Sequence, residues 1–320
     1  MKPSLSLTCI SLIARATATP TAARSESASY TGFSDLKTIF SFGDSYTKTG
    51  WDYQGTLPSS SNPFGNTGST SSNGQNWIQY LATKHNSSLL LTYNFAIGGA
   101  TVDNDIVSGS TDVKTQVENR FIPAFSNSSS GLWKPESTLF SFWVGINDVE
   151  KSYLTKNSSE TFPEIFSKYE DLLDQLYGIG ARNFLFLNVP ALELSPRVTQ
   201  SSAAAERIPL MKAAVSLYNS QLQDLVSTIK KKYSAATLFH LDTYKYFDQV
   251  QSKPKSFLET SGYRNTSTYC SAYTRGTDTP DYKDDSCDWA ADEYLWLNSL
   301  HPTSPIHELL SYKISKQLQK

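Results

Sequence analysis

Four short stretches hold side chains that could do chemistry together. An apolar run, Ile39 to Phe42, stops abruptly at Gly43-Asp44-Ser45, leaving a hydroxyl where a buried strand would end. A glycine pair, Gly98-Gly99, follows the apolar "YNFAI"; Asn147 follows "FWVGI"; and His301 stands just before Pro302 near the carboxyl end. On its own, Gly-Asp-Ser is also an ordinary turn, since Gly and Asp commonly stop strands. Taken with the other three it is the inventory for acyl transfer. A serine hydroxyl attacks an ester only when an imidazole takes its proton. The tetrahedral intermediate then needs preorganised N–H donors, which glycine backbone and a carboxamide can supply.

Bringing these residues together requires a particular scaffold. Five strand-like runs, "TIFSF", "LLLTYNFAI", "STLFSFWVG", "NFLFLNV" and "ATLFHLD", alternate with helical patterns over 74–85, 112–125, 162–180 and 203–233, and a last helix is predicted over Ser304–Gln319. Alternation of this kind predicts an α/β fold: a three-layer α/β/α sandwich around a five-stranded parallel sheet, whose site forms outside the carboxyl ends of the strands. Serine, the glycine pair and Asn147 all follow such ends. Two polar excursions, Trp51–Asn76 and about Lys253–Glu293, are long enough to be functional. Their aromatics, Trp51, Tyr53, Tyr263, Tyr269, Tyr273, Tyr282 and Trp289, are candidates either for stacking on sugar rings or for ordinary loop packing.

The bulk properties narrow the class. At 320 residues one large core is expected, and a net charge of −2 leaves no basic footprint for nucleic acid. Residues 1–23 read as a secretory signal, with a mitochondrial presequence as the alternative, followed by a single domain over 24–320. Acceptor sequons at Asn86, Asn127, Asn157 and Asn265 fit secretion. Loss of Cys9 with the leader leaves Cys270 and Cys287, predicted to form a disulfide. No later apolar stretch reaches the ~20 residues that span a bilayer, so no membrane partner is expected. A metal site is not expected either, because the sequence holds no Cys/His cluster. No other cofactor is implied, and the oligomeric state is not readable.

The blocks "FGDSYTKTG", "NFAIGGA", "VGIND" and "LHPT", in that order from Phe42 to Thr303, resemble the GDSL or SGNH hydrolase superfamily. Within it, "SNGQNWIQYLA" and "LWLNSLHPT" look most like secreted fungal acetyl esterases of carbohydrate esterase family sixteen. The resemblance implies a flavodoxin-like sandwich, Ser45 as nucleophile, His301 as base, and an oxyanion hole from the N–H of Ser45, Gly99 and the amide of Asn147. It also implies a small acylated saccharide as substrate, with short acyl groups, acetate foremost.

One position departs from the superfamily pattern. Three residues before the histidine the family has Asp, and this chain has Asn298. An Asn can orient an imidazole through its carbonyl oxygen but supplies no charge. A Ser–His dyad, a carboxylate borrowed from Asp292 or Glu293, and an inactive site therefore all stay open. Two rival functions accompany the main expectation: an esterase for lipids or longer acyl chains using the same site, and a non-catalytic glycan-binding protein. Asp44 and Asp148 read as organisers of loop hydrogen bonds, and His85, His240 and His307 as structural residues.

Overall fold

The computed structural model describes residues 30–126, 131–155 and 157–320. The expected signal segment and the Asn127 sequon lie outside the described residues. Five strands, β1 (Thr38–Gly43), β2 (Leu91–Asn94), β3 (Thr138–Trp143), β4 (Asn183–Leu187) and β5 (Thr237–Leu241), form one sheet in the order β2-β1-β3-β4-β5. Every neighbouring pair is parallel. Strands β1 and β3 are buried along their whole length, which is why they read as continuous apolar runs rather than alternating ones.

Helices cover both faces. Helix α1 (Trp77–Thr83) packs on α8 (Ser304–Leu318), while α4 (Ser158–Gly178) packs on α6 (Ala204–Lys232). Strand order reverses at β1, so its crossover runs the opposite way from those that follow, and α1 goes to the face opposite α4 and α6. Phe40 sits at the centre of the aromatic core, with the rings of Tyr93, Phe121, Phe125, Trp133 and Phe140 around it.

Differences from the sequence reading are local. Strand β2 ends at Asn94, not Ile97, because the Asn94 amide turns aside to Thr47 O and Thr49 Oγ1. The helix predicted over 112–125 is wound as a π-helical stretch, Thr115–Phe121, that runs into α2 (Ile122–Phe125). Three helices were not predicted: α3 (Ile146–Ser152), α5 (Pro196–Thr199) and α7 (Thr243–Ser252). At seven, four and ten residues they are short for periodicity to register.

Cys270 and Cys287 are joined in a disulfide. Around it lies a satellite core of Tyr273, Cys287, Ala291, Tyr294 and Leu297, separate from the main one. Of the described sequons, Asn157 is exposed and caps α4 through Ser159 N; Asn86 and Asn265 are half-buried, their amides bonded to Ser88 O and Thr268 Oγ1.

Candidate active site

Strand β1 delivers Ser45. The strand ends at Gly43, whose N–H donates to Gln116 Oε1 at 2.9 Å and whose carbonyl accepts from Gln116 Nε2 at 2.8 Å. A single carboxamide from the π-helical stretch therefore fixes the strand end in both directions. The chain then turns: Thr47 and Lys48 N–H both return to Asp44 O, and Tyr46 N–H donates to Asp44 Oδ1 at 2.9 Å. Ser45 sits on this turn, 9% exposed.

The base arrives from the other end of the chain. His301 Nε2 lies 2.7 Å from Ser45 Oγ, and its Nδ1 lies 3.1 Å from Asn298 Oδ1. Three N–H groups converge on that one oxygen, since the backbones of Leu300 and His301 also donate to it at 3.0 and 2.9 Å. Such convergence fixes the carboxamide orientation: an NH2 group there would face three donors. An acceptor opposite Nδ1 in turn fixes the tautomer, with the proton on Nδ1 and the lone pair of Nε2 facing the serine hydroxyl. Both ring nitrogens are thus occupied by Ser45 and Asn298. Glu293 is engaged by Arg264 at 2.7 Å and by Ala290 N–H, and neither it nor Asp292 bonds the ring.

Two contacts tie the histidine loop to its surroundings, and neither was foreseen. Tyr46, the neighbour of Ser45, donates its hydroxyl to Leu300 O at 2.6 Å, and the backbone of Arg197 on α5 donates to Ser299 O at 2.7 Å. No motif marks Gln116 or Arg197, and the block that contains Tyr46 does not disclose its bond to Leu300, because their work depends on long-range geometry.

The donors for an oxyanion come from β2 and β3. Gly99, at φ 78°, turns tightly after β2, and a Cβ there would press on Ser110 Oγ at 2.6 Å. Among the described residues, the N–H groups of Ser45 and Gly99 have no acceptor. Gly145, at φ 120°, starts α3, and any side chain on it would enter the ring of Tyr218. The helix begins at once after β3 and carries Asn147 in its first turn. Asn147 Nδ2 is not idle here: it donates to Ala100 O at 2.9 Å and faces Asp44 Oδ2 at a long 3.4 Å.

Electrostatics follow from burial. Burial, with lesser pushes from Arg197 and Lys48, lowers the His301 pKa to about 4, so the imidazole is neutral at pH 7. Asp44, fully enclosed, is pushed up to about 8 by burial, opposed by the Tyr46 N–H bond and reinforced by Asp148. Asp148 is raised to about 7, again chiefly by burial, although its Oδ1 accepts from Val102 N–H at 3.0 Å. His307 is buried on α8 against Tyr46 and Trp143. His85 packs on Tyr312, and His240 lies in β5.

A cavity of about 820 Å³ opens on His301 and Asn298. One wall comes from Gly68–Gln75 in the first excursion and the other from Thr274–Pro280, inside the loop closed by the disulfide. Asn73 joins the walls: its Nδ2 donates to Thr277 Oγ1 at 2.8 Å and its Oδ1 accepts from Thr277 N–H at 2.7 Å. The lining is hydroxyls, carboxamides, one cation, Arg275, and one carboxylate, Asp278, with Leu297 and Pro280 apolar. None of the seven excursion aromatics lines it. Trp51 packs on Tyr93 and Phe95, Tyr263 bonds Thr303, Tyr273 is buried beside the disulfide, and Trp289 lies under Arg264.

Residues 39–313 match the family described as GDSL-like lipase/acylhydrolase. The chain belongs to that family. An acetylesterase of Thermothelomyces thermophilus is 32% identical over 287 residues, 87% of each chain. An acetylesterase of Hypocrea jecorina is 24% identical over 312 residues, 85% of this chain and 86% of the relative. Among solved structures, an acetylxylan esterase from Geobacillus stearothermophilus has the same fold, with a TM-score of 0.50 at 13% identity over 89% of this chain and 94% of its own. The GDSL chain described here is accordingly a carboxylic ester hydrolase of the acylesterase type, built on the SGNH hydrolase fold. Among the described residues of this esterase, no helix is long and apolar enough to cross a membrane.

Proposed function

We propose that this GDSL enzyme is a secreted esterase that removes short acyl groups, acetate foremost, from plant cell-wall saccharides, with Ser45 as nucleophile and His301 as base. The observation that carries the reading is the 2.7 Å contact between His301 Nε2 and Ser45 Oγ, with Asn298 orienting the far side of the ring. Ser45 Oγ attacks the ester carbonyl carbon as its proton passes to Nε2. The carbonyl oxygen becomes an oxyanion received by the N–H groups of Ser45 and Gly99, and by Asn147 once its long contact with Asp44 is exchanged for the shorter one to substrate; such bonds commonly tighten only with substrate bound. Collapse breaks the bond to the sugar oxygen, which takes the proton from His301. Water, deprotonated by the same imidazole, then attacks the acyl-serine and releases acetate.

Several features support the finer parts of this reading. The polar cavity suits a saccharide better than a long alkyl chain, because it has no extended apolar lining. Both acetylesterase relatives align over most of the chain. The leader-like residues 1–23, the sequons and the disulfide argue for an extracellular single domain over 24–320. Release of acetate from acetylated xylo-oligosaccharides by the wild type, and its loss in Ser45→Ala, tests the assignment. Acetate release that survives in Ser45→Ala removes the nucleophile. Faster turnover of long-chain than acetyl nitrophenyl esters turns the substrate toward lipids.

A further inference from the structure

The cavity that opens on His301 has a charge pattern that the ester chemistry does not require. Arg275 lines its wall, and among the described residues its guanidinium makes no ion pair or hydrogen bond. Arg264, in the same excursion, is paired with Glu293 and stacked on Trp289, so freedom is not general to the arginines of this segment. Asp278 lines the same wall without pairing to Arg275. Nor is Arg275 on a loose strand. The residue before it bonds Ser271 O through Thr274 Oγ1 at 3.0 Å, and Gly276 N–H, immediately after it, donates to Tyr273 O at 2.8 Å. Thr277, next again, is bonded across the cleft to Asn73, and the disulfide closes the whole loop.

A second cation lies near the reactive pair. The charged neighbours that act on His301 are Arg197 and Lys48. Arg197 is neutralised by Glu150 at 2.7 Å, whereas the Lys48 ammonium has no ion-pair partner among the described residues. Lys48 follows Ser45 by three positions, and its side chain runs beside Gly98. Arg275 and Lys48 thus both stand without an ion-pair partner among the described residues, and Arg275 shares the cleft wall with one carboxylate, Asp278. A guanidinium offers two parallel N–H bonds that match a carboxylate, and these charge-assisted pairs are the strong ones.

We propose that the cleft selects acylated saccharides that also carry a carboxylate, a uronic acid unit, and that Arg275 is the residue that holds it. This rests on the saccharide reading above. The carboxylate binds away from the scissile ester, so Arg275 is a specificity residue and acts on binding rather than on the acyl transfer itself.

The test compares acetate release from two acetylated xylo-oligosaccharide pools, with and without glucuronic acid branches, by the wild-type enzyme, Arg275→Gln and Arg275→Lys, with nitrophenyl acetate as a third substrate. The wild type is expected to favour the acidic pool in kcat/KM by about tenfold or more, the scale of one charge-assisted hydrogen-bond pair. In Arg275→Gln the ratio of acidic to neutral kcat/KM falls to about one, with the change in KM; Arg275→Lys keeps part of it, having the charge without the fork. Added salt narrows the wild-type ratio. A wild-type ratio near one, or a ratio that Arg275→Gln leaves in place, overturns the proposal alone. Hydrolysis of nitrophenyl acetate with no acetate from either pool overturns the saccharide reading, and the proposal with it.

Discussion

Replacing Asn298 with Asp supplies the charge that the imidazole lacks, and its effect can be worked from the contacts. The carboxylate keeps an acceptor for the N–H groups of Leu300 and His301, at 3.0 and 2.9 Å, and sets a negative charge 3.1 Å from Nδ1. In the native enzyme burial holds His301 at about 4. An opposite charge this close moves a pKa by roughly 1–3 units, so the ring of the variant titrates at about 5–7. Each unit is about 1.4 kcal/mol, so the imidazolium formed when Ser45 gives up its proton is stabilised by about 1.4–4 kcal/mol. Only the neutral ring can accept that proton, so activity is lost as pH falls through the His301 pKa. The acid limb of kcat/KM for nitrophenyl acetate should therefore move up from about 4 to about 5–7, with a higher plateau, each 1.4 kcal/mol realised in the transition state giving about tenfold. An acid limb unmoved by the substitution would refute the reasoning, since position 298 could not then face the ring in solution.

Asn298→Ala removes one hydrogen bond to a ring that becomes charged, about 1.5–3 kcal/mol, and should lower kcat by about 10–150-fold, whereas His301→Ala should lower it by on the order of 10⁴–10⁶; equal losses in steady-state assays would make the amide an essential member. Asn147→Ala should reduce kcat by about 10²–10³ with little change in KM, and a loss confined to KM would remove Asn147 from the oxyanion hole. Asp148 keeps a proton up to about 7 in the folded chain and only to 3.8 when unfolded, so its burial costs stability progressively as pH rises between those values. Asp148→Asn, which cannot ionise, should therefore show a smaller fall in Tm than the wild type between about pH 5 and about pH 8 in calorimetry, and an unchanged fall would count against the buried carboxyl. Cys270→Ser with Cys287→Ser opens a loop whose closure is worth about 3 kcal/mol and should raise KM for saccharide esters more than for nitrophenyl acetate; equal KM changes would detach the disulfide from the cleft wall.

The sheet was legible because its central strands β1, β3 and β4 are buried on both faces and show as apolar runs that stop at a turn, as "TIFSFG" does before Asp44. The location of Ser45, Gly99 and Asn147 after three strand ends follows from the apolar runs that precede them, and the sheet order, with β1 between β2 and β3, makes the three ends neighbours. What the sequence does not carry is the set of contacts between distant segments. Gln116 bracketing Gly43, 73 positions away, has no local signature. For the excursion aromatics, residue type leaves sugar stacking and loop packing equally open; Trp51 and Tyr273 are packed inward, and the cavity is left to Asn73, Thr277 and Arg275. The role of Asn298 was undecidable by residue type, because an amide can present either face; only the three converging donors fix which one.

The hydroxyl of Tyr46 joins the turn that bears the nucleophile, itself continuous with β1, to the loop that bears the base, so the loop is coupled to a fixed strand end. A thermal excursion of one segment drags its counterpart along, and the spacing between oxygen and nitrogen is buffered against breathing of the rim. Remodelling the two excursions to accept other leaving groups should leave the reactive couple in register for as long as the Tyr46 and Arg197 contacts to that loop survive.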